Sequence, residues 1–172
     1  MKSPVVKFIA TALGIFIIWY IIYEKWLLPD GRLDEWLSLN IIGVSAGIIK
    51  SLGFDVYTIN RIVGIGENSG VEVVDGCNGI SAIGLFLGFI IAFPGPWKSR
   101  LSFSILGIGI IYIVNIIRIV TLTVTKVKWP AFFDFTHDYS TTTIFYIIIF
   151  ILWMIWVNYN SIPQNINNAS AN

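Results

Sequence analysis

The chain has 172 residues, 56% of them apolar and 12% charged, with a formal net charge of +1 and a mean hydropathy of +0.78. That composition excludes an ordinary soluble domain and marks an integral membrane protein. Eleven Lys and Arg spread along the chain form no basic patch, which argues against a nucleic-acid partner, and a single cysteine excludes an internal disulfide while leaving a free thiol.

In chain order, an apolar run over residues 6–28 follows Lys2 and Lys7 and ends in bulky Trp, Tyr and Ile without a small-residue cleavage pattern, predicting an uncleaved first membrane helix. Residues 33–54 hold an apolar core of about a dozen residues, short of the roughly 20 that a span needs. There Leu33, Leu37, Ile41, Val44, Ile48 and Leu52 recur at helical spacing while Asp34, Glu35, Ser38, Ser45 and Lys50 interrupt them, so an interfacial amphipathic helix is favoured over a span. Residues 55–75 carry Tyr, Val, Ile and Thr in short runs around GIGENSG, the pattern of a small β-hairpin outside the bilayer.

Two further membrane helices are expected over 77–93 and 101–120, separated by PGPWKSR, whose prolines and glycine stop one helix and whose Lys98 and Arg100 mark an interface. A last span over 142–157 ends with Trp153 and Trp156 near a membrane surface, and the Asn-rich tail, 161–172, reads as disordered. The expected fold is one domain, 1–160: an all-α polytopic membrane protein of about four transmembrane helices, with a small extracytoplasmic amphipathic helix and β-hairpin.

Charge sets an orientation. With the N-terminus inside, Lys2, Lys7, Lys98 and Arg100 are cytoplasmic and all ten Asp and Glu lie outside. The outer segments hold more Lys and Arg in all, Lys126 and Lys128 among them, but the main one is about fifty residues long and counts for little. In either orientation, the hairpin puts Cys77, Arg118 and His137 on one side. From Arg100 to Arg118 the helix rises about 27 Å at 1.5 Å per residue, close to the roughly 30 Å of hydrocarbon. The same arithmetic over 77–93 gives about 24 Å, which brings thiol and guanidinium to similar depth in neighbouring helices.

The chemistry suited to this set is acyl transfer through a thioester. Thiolates form beside cations and helix N-termini, Arg118 supplies a fixed charge that can hold an oxyanion, and His137 can pair with the thiolate and protonate a leaving amine. Asn115, three residues before Arg118 on the same helix face, can orient the arginine or a substrate carbonyl. Gly76 and Gly79 leave backbone exposed beside the cysteine. Each residue also has a plainer reading. A free cysteine packs as a small hydrophobe, an arginine at a helix end snorkels, and a histidine in FTHDYS sits at an interface. On those readings the chain is a non-catalytic scaffold or assembly factor with Arg118 paired to Asp75 or Asp138; a small transporter subunit has one intramembrane charge to work with.

DGCNGI at residues 75–80, NIIRI at 115–119 and a histidine before the last helix together resemble the exosortase and archaeosortase membrane transpeptidases, in a compact form similar to exosortase F. The resemblance implies Cys77 with Gly79, Arg118 with Asn115, and His137 as the active residues; Asn115 and Gly79, together with Gly76 and Asn78 beside the cysteine, are expected to position the substrate. No cofactor is expected, and no metal, since one histidine and one cysteine make a poor ligand set. The implied protein sits in the prokaryotic inner membrane with its site on the extracytoplasmic face, embedded in lipid, and cleaves exported proteins at a C-terminal sorting signal made of a short motif, a membrane helix and a basic end.

Overall fold

A computed structural model describes residues 4–68, 70–139 and 143–169, with the side chains of 4, 138, 139 and 161–169 outside the description. Seven α-helices and a three-stranded antiparallel sheet account for most of them. The first helix, α1 (Pro4–Ile22), continues through a π turn, Tyr23–Leu27, into α2 (Leu28–Asp30). Pro29 explains the widened turn, because it lacks an N–H for the Lys25 carbonyl and its ring crowds that carbonyl. Gly31, at φ +67°, then starts α3 (Arg32–Ser51). Strands β1 (Val56–Ile59), β2 (Ile62–Ile65) and β3 (Val71–Glu72) form the sheet in the order β1-β2-β3. After it come α4 (Ile80–Ala92), α5 (Trp97–Lys128), a 3₁₀ turn (Pro130–Phe132), α6 (Phe133–Tyr139) and α7 (Phe145–Ala169).

Among the described residues, two segments are long and apolar enough to cross a membrane, Val5–Asp30 and Trp97–Lys128, and two shorter apolar helices, Ile80–Ala92 and Phe145–Asn160, accompany them. The helix expected from residue 77 begins at Ile80, leaving 13 residues, about 20 Å of rise. The helix expected to end near 120 runs to Lys128 instead. Its last turns, rich in Thr and Val, look like loop by composition, yet Leu122, Thr123 and Thr125 are buried, and the Thr121 and Thr123 hydroxyls donate to the Ile117 and Ile119 carbonyls at 2.8 Å. Burial against α3 and the sheet outweighs weak propensity. Helix α7 extends to Ala169, into the stretch expected as a disordered tail, whose last three residues lie outside the description.

Helix α3 shows the largest departure in packing. The Tyr112 hydroxyl donates to Asn40 Oδ1 at 2.6 Å and the Lys128 ammonium lies 5.6 Å over the Phe54 ring, so α3 runs alongside α5 in the same direction. Its buried face carries Asp34, Leu37, Ser38, Ile41, Ile42, Ser45 and Ile49, while Leu33, Val44, Ile48 and Leu52 are exposed. Of the five polar residues expected to face water, Asp34, Ser38 and Ser45 are inside, while Glu35 and Lys50 are exposed. One core joins α3, the sheet and the C-terminal half of α5 around Ile41, Ile49, Val63, Val73 and Ile119. A second joins α4, α5 and α7 around Phe86, Ile90, Ile111, Ile149 and Trp156. Helix α1 packs antiparallel on α4, with Phe8 edge-on to Phe89 and Phe93 and Trp19 filling the space beside Gly84, where an added Cβ would collide with its indole ring.

The expected hairpin is present, with a third strand beyond GENSG. Its tight turn is Asn60–Arg61, where Asn60 takes φ +51°, an αL conformation asparagine tolerates.

Candidate active site

The chain reaches Cys77 from β3 through a turn fixed at both ends. Val73 donates to the Arg61 carbonyl at 2.8 Å and Cys77 N–H to the Val74 carbonyl at 3.0 Å. Asp75 forms an ion pair with Arg61 across the turn, which holds the guanidinium above its ordinary pKa. Gly76 and Gly79 have φ of +81° and +89°, values that other residues adopt only with strain. These two reversals aim the Cys77–Asn78 peptide into the protein before α4 begins. Cys77 therefore precedes the helix it was expected to open. The first turn is capped by Asn78, whose Oδ1 accepts from Ile80 N–H at 3.1 Å.

Helix α5 meets this turn with the two residues of its N-x-x-R pattern. Arg118 Nη1 donates to the Cys77 carbonyl at 3.1 Å and Asn115 Nδ2 to the same oxygen at 3.3 Å. Arg118 Nη1 also reaches Asn115 Oδ1 at 3.4 Å, and its guanidinium carbon lies 5.9 Å from the centre of the Phe145 ring. Asn115 is fully buried and Arg118 is 8% exposed. An arginine so buried is costly unless paired. Its charged head meets a carbonyl, an amide oxygen and an aromatic ring, and Nε lacks a partner among the described residues. Arg118 itself borders open space.

Beside it lies a cavity of about 410 Å³. Cys77, Gly76, Gly79 and Arg118 form its polar end. Phe16 from α1, Ala82 and Leu85 from α4, and Phe145, Tyr146 and Ile149 near the start of α7 form an apolar trough leading from it. The trough suits an apolar chain segment whose polar bond rests at the cysteine.

His137 stands elsewhere. It is exposed on α6, with its ring 5.9 Å from that of Phe133, and it does not line the cavity shared by Cys77 and Arg118. The eight-residue extension of α5 beyond the expected end carries α6 away from Arg118. Of the seven residues expected at the site, Cys77, Arg118, Asn115, Gly76, Asn78 and Gly79 are gathered here. Asp75 pairs with Arg61 rather than Arg118, which removes one of the two alternative partners that the scaffold reading offers Arg118; the side chain of the other, Asp138, lies outside the description. No cluster of three or more His, Cys, Asp or Glu among the described residues could hold a metal.

Sequence reasoning missed Asp34. It is fully buried and accepts hydrogen bonds from the Tyr23 hydroxyl at 2.9 Å and Asn78 Nδ2 at 2.6 Å. The available signal was the spacing of Asp34, Ser38 and Ser45, a polar stripe at helical period in a largely apolar protein.

Residues 2–154 match the family model described as Transmembrane exosortase (Exosortase_EpsH). The chain is similar to a protein of Methanocaldococcus jannaschii named probable archaeosortase D, 28% identical over 146 residues that cover 84% of this chain and 86% of that protein. No solved structure matches.

Proposed function

The chain belongs to the transmembrane exosortase family of membrane sorting transpeptidases, and from that premise we propose that it cleaves exported proteins at a C-terminal sorting signal through a thioester on Cys77. The observation that carries this reading is the shared cavity, in which the chain's one thiol and a largely buried arginine stand at the end of an apolar trough.

The thiolate attacks the scissile carbonyl, a C–S bond forms, and charge moves onto the carbonyl oxygen. The spare donors of Arg118 meet that oxygen, an interaction strongest as the charge develops. The C–N bond then breaks, and the leaving amine takes the proton that His137 carries in this reading. A second nucleophile, an acceptor amine or water, attacks the thioester and releases Cys77. Because His137 stands outside the cavity, this role requires α6 to close over the mouth. Loss of activity in His137→Ala as deep as in Cys77→Ala supports the role; full activity removes His137 from the machinery and leaves Cys77 with Arg118.

In this reading the helix of the sorting signal lies in the trough between α1 and α7, against Ala82 and Leu85, where the small side chains of Ser81 and Ala82 permit close approach. Helices α1, α4, α5 and α7 then make the four spans, in a prokaryotic inner membrane with the site on the extracytoplasmic face. The test compares C-terminal peptides of membrane and surface proteins, by mass spectrometry, between cells with the native chain and cells with Cys77→Ala. Proteins that keep a C-terminal apolar helix in the mutant alone are the substrates. Unchanged C-termini, with candidate substrates expressed, refute the enzyme reading.

A further inference from the structure

Resting on the reading of Cys77 as nucleophile, we infer that Asp34 is a positioning residue that sets the Cys77 turn from the side opposite Arg118, acting through Asn78. The peptide between Cys77 and Asn78 is gripped from two helices. From α5, Arg118 and Asn115 hold the Cys77 carbonyl. From α3, Asp34 Oδ1 accepts from Asn78 Nδ2 at 2.6 Å, and the other end of that amide caps Ile80 N–H at 3.1 Å. An amide has two unlike ends. The carboxylate decides which end faces α3, and so presents the acceptor to the helix start.

Asp34 is itself fixed by the Tyr23 hydroxyl, which the π turn supplies. Asp34 is fully buried, Asn78 is 2% exposed and Tyr23 6%. A carboxylate with so little solvent is retained against a large desolvation cost, and packing alone would favour an apolar residue at this position of α3. The second oxygen, Asp34 Oδ2, and the Ser38 hydroxyl one turn on are buried without partners among the described residues. Polar atoms so enclosed are costly, and the hydrogen bonds that Asp34 does make must offset that cost.

The test exchanges the two partners. Asn78→Asp faces a second carboxylate onto Asp34, a like-charge contact; it is expected to slow turnover of a sorting-signal substrate in proteoliposomes by about 30-fold with KM within about twofold. Asp34→Asn keeps an oxygen for both donors and is expected to lose less than about fivefold. When Asp34→Asn and Asn78→Asp are combined, the amide now on α3 donates to the carboxylate now in the turn, whose other oxygen caps Ile80, and turnover is expected to return to within about fivefold of the parent. A double exchange no faster than Asn78→Asp, or Asn78→Asp as fast as the parent, overturns the inference. Tyr23→Phe, which removes one hydroxyl and no charge, is the variant least disturbing to folding and is expected to lose about threefold in turnover at constant KM; an unchanged rate overturns the role of Tyr23 as support.

A substrate-free readout separates this inference from the enzyme reading. The rate at which a maleimide modifies Cys77 should differ about threefold or more between parent and Asn78→Asp and return in the double exchange. Equal rates in all four proteins overturn the positioning role. Altered and restored rates without substrate cleavage by the parent sustain that role and overturn the transpeptidase reading alone.

Discussion

The two flanks of the Cys77–Asn78 peptide are built in opposite ways. On the α5 flank, a buried arginine commits one nitrogen to the Cys77 carbonyl, leaves Nε without a partner among the described residues and borders a cavity of about 410 Å³. On the α3 flank, Asp34 Oδ1 joins Tyr23 and Asn78 inside a packed core; Asp34 Oδ2 and the Ser38 hydroxyl lack partners among the described residues, but none of these residues lines that cavity. An arginine that borders empty space is placed to bind something, whereas a network enclosed by packed side chains is placed to hold something still. The contrast makes the α5 flank the expected seat of chemistry and the α3 flank its support, and substitutions on each side should differ in kind.

The largest effect belongs to the α5 flank. Arg118→Lys keeps the charge and removes the planar fork, so one ammonium must choose between the Cys77 carbonyl and the substrate oxygen. Turnover is expected to fall about 100-fold or more, the loss typical of an oxyanion donor, while substrate capture in the trough persists in a pull-down of a sorting-signal peptide. Equal loss of capture and turnover would make Arg118 a binding residue and blur the distinction between the flanks.

Next comes the turn itself. At Gly79 an added Cβ would lie 3.5 Å from Asn115 Nδ2, an ordinary contact, so space is not the obstacle; φ +89° is. Gly79→Ala is expected to cost about 1–2 kcal/mol of backbone strain and to lower thermal stability and turnover together. Gly79→Ala with unchanged stability would mean that the turn relaxes without cost and that the grip from the two flanks is loose.

Much of this site was legible in the sequence, for a local reason. DGCNGI and NIIRI each carry their geometry within a few residues: glycines that reverse the chain around Cys77, and an i, i+3 pair that shares a helix face. Hairpin geometry was equally readable, since the PGP of PGPWKSR interrupts the helix, although WKSR, expected in the turn, already opens α5, and Arg100 ties that turn by donating to the Phe93 and Gly95 carbonyls. What failed depended on partners distant in sequence. Which face of α3 is buried is decided by α5, some seventy residues on, and that face hides Asp34, Ser38 and Ser45 while exposing Leu52 and Val44. In a membrane protein the apolar side of a helix need not be its inner side, because lipid welcomes it as readily as the core does. The position of His137 went astray similarly, since the length of α5 is set by its burial against α3 and the sheet.

A smaller effect is expected inside the trough. Ala82 lines the cavity on the face of α4 between α1 and α7, and Ala82→Leu would fill part of the space assigned to the substrate helix. KM is expected to rise about three- to tenfold with turnover at saturation unchanged. A fall in turnover with KM constant would move the substrate helix out of this trough.

The smallest effect is expected closest to the cysteine in sequence. Asp75 is two residues from Cys77 and lies in the motif itself, yet its partner is Arg61 of the β1–β2 turn, and the two side chains are 41% and 28% exposed. Exposed ion pairs contribute little, and salt screens them. Neither residue lines the cavity, and the hydrogen bonds of Arg118 go to Cys77 and Asn115 instead. Asp75→Asn keeps the shape and removes the charge, and turnover is expected to stay within about threefold of the parent at physiological salt. A loss approaching that of Arg118→Lys would mean that the charge of Asp75 acts on the guanidinium from outside the cavity, and that the electrostatics of the α5 flank extend beyond the residues that line it.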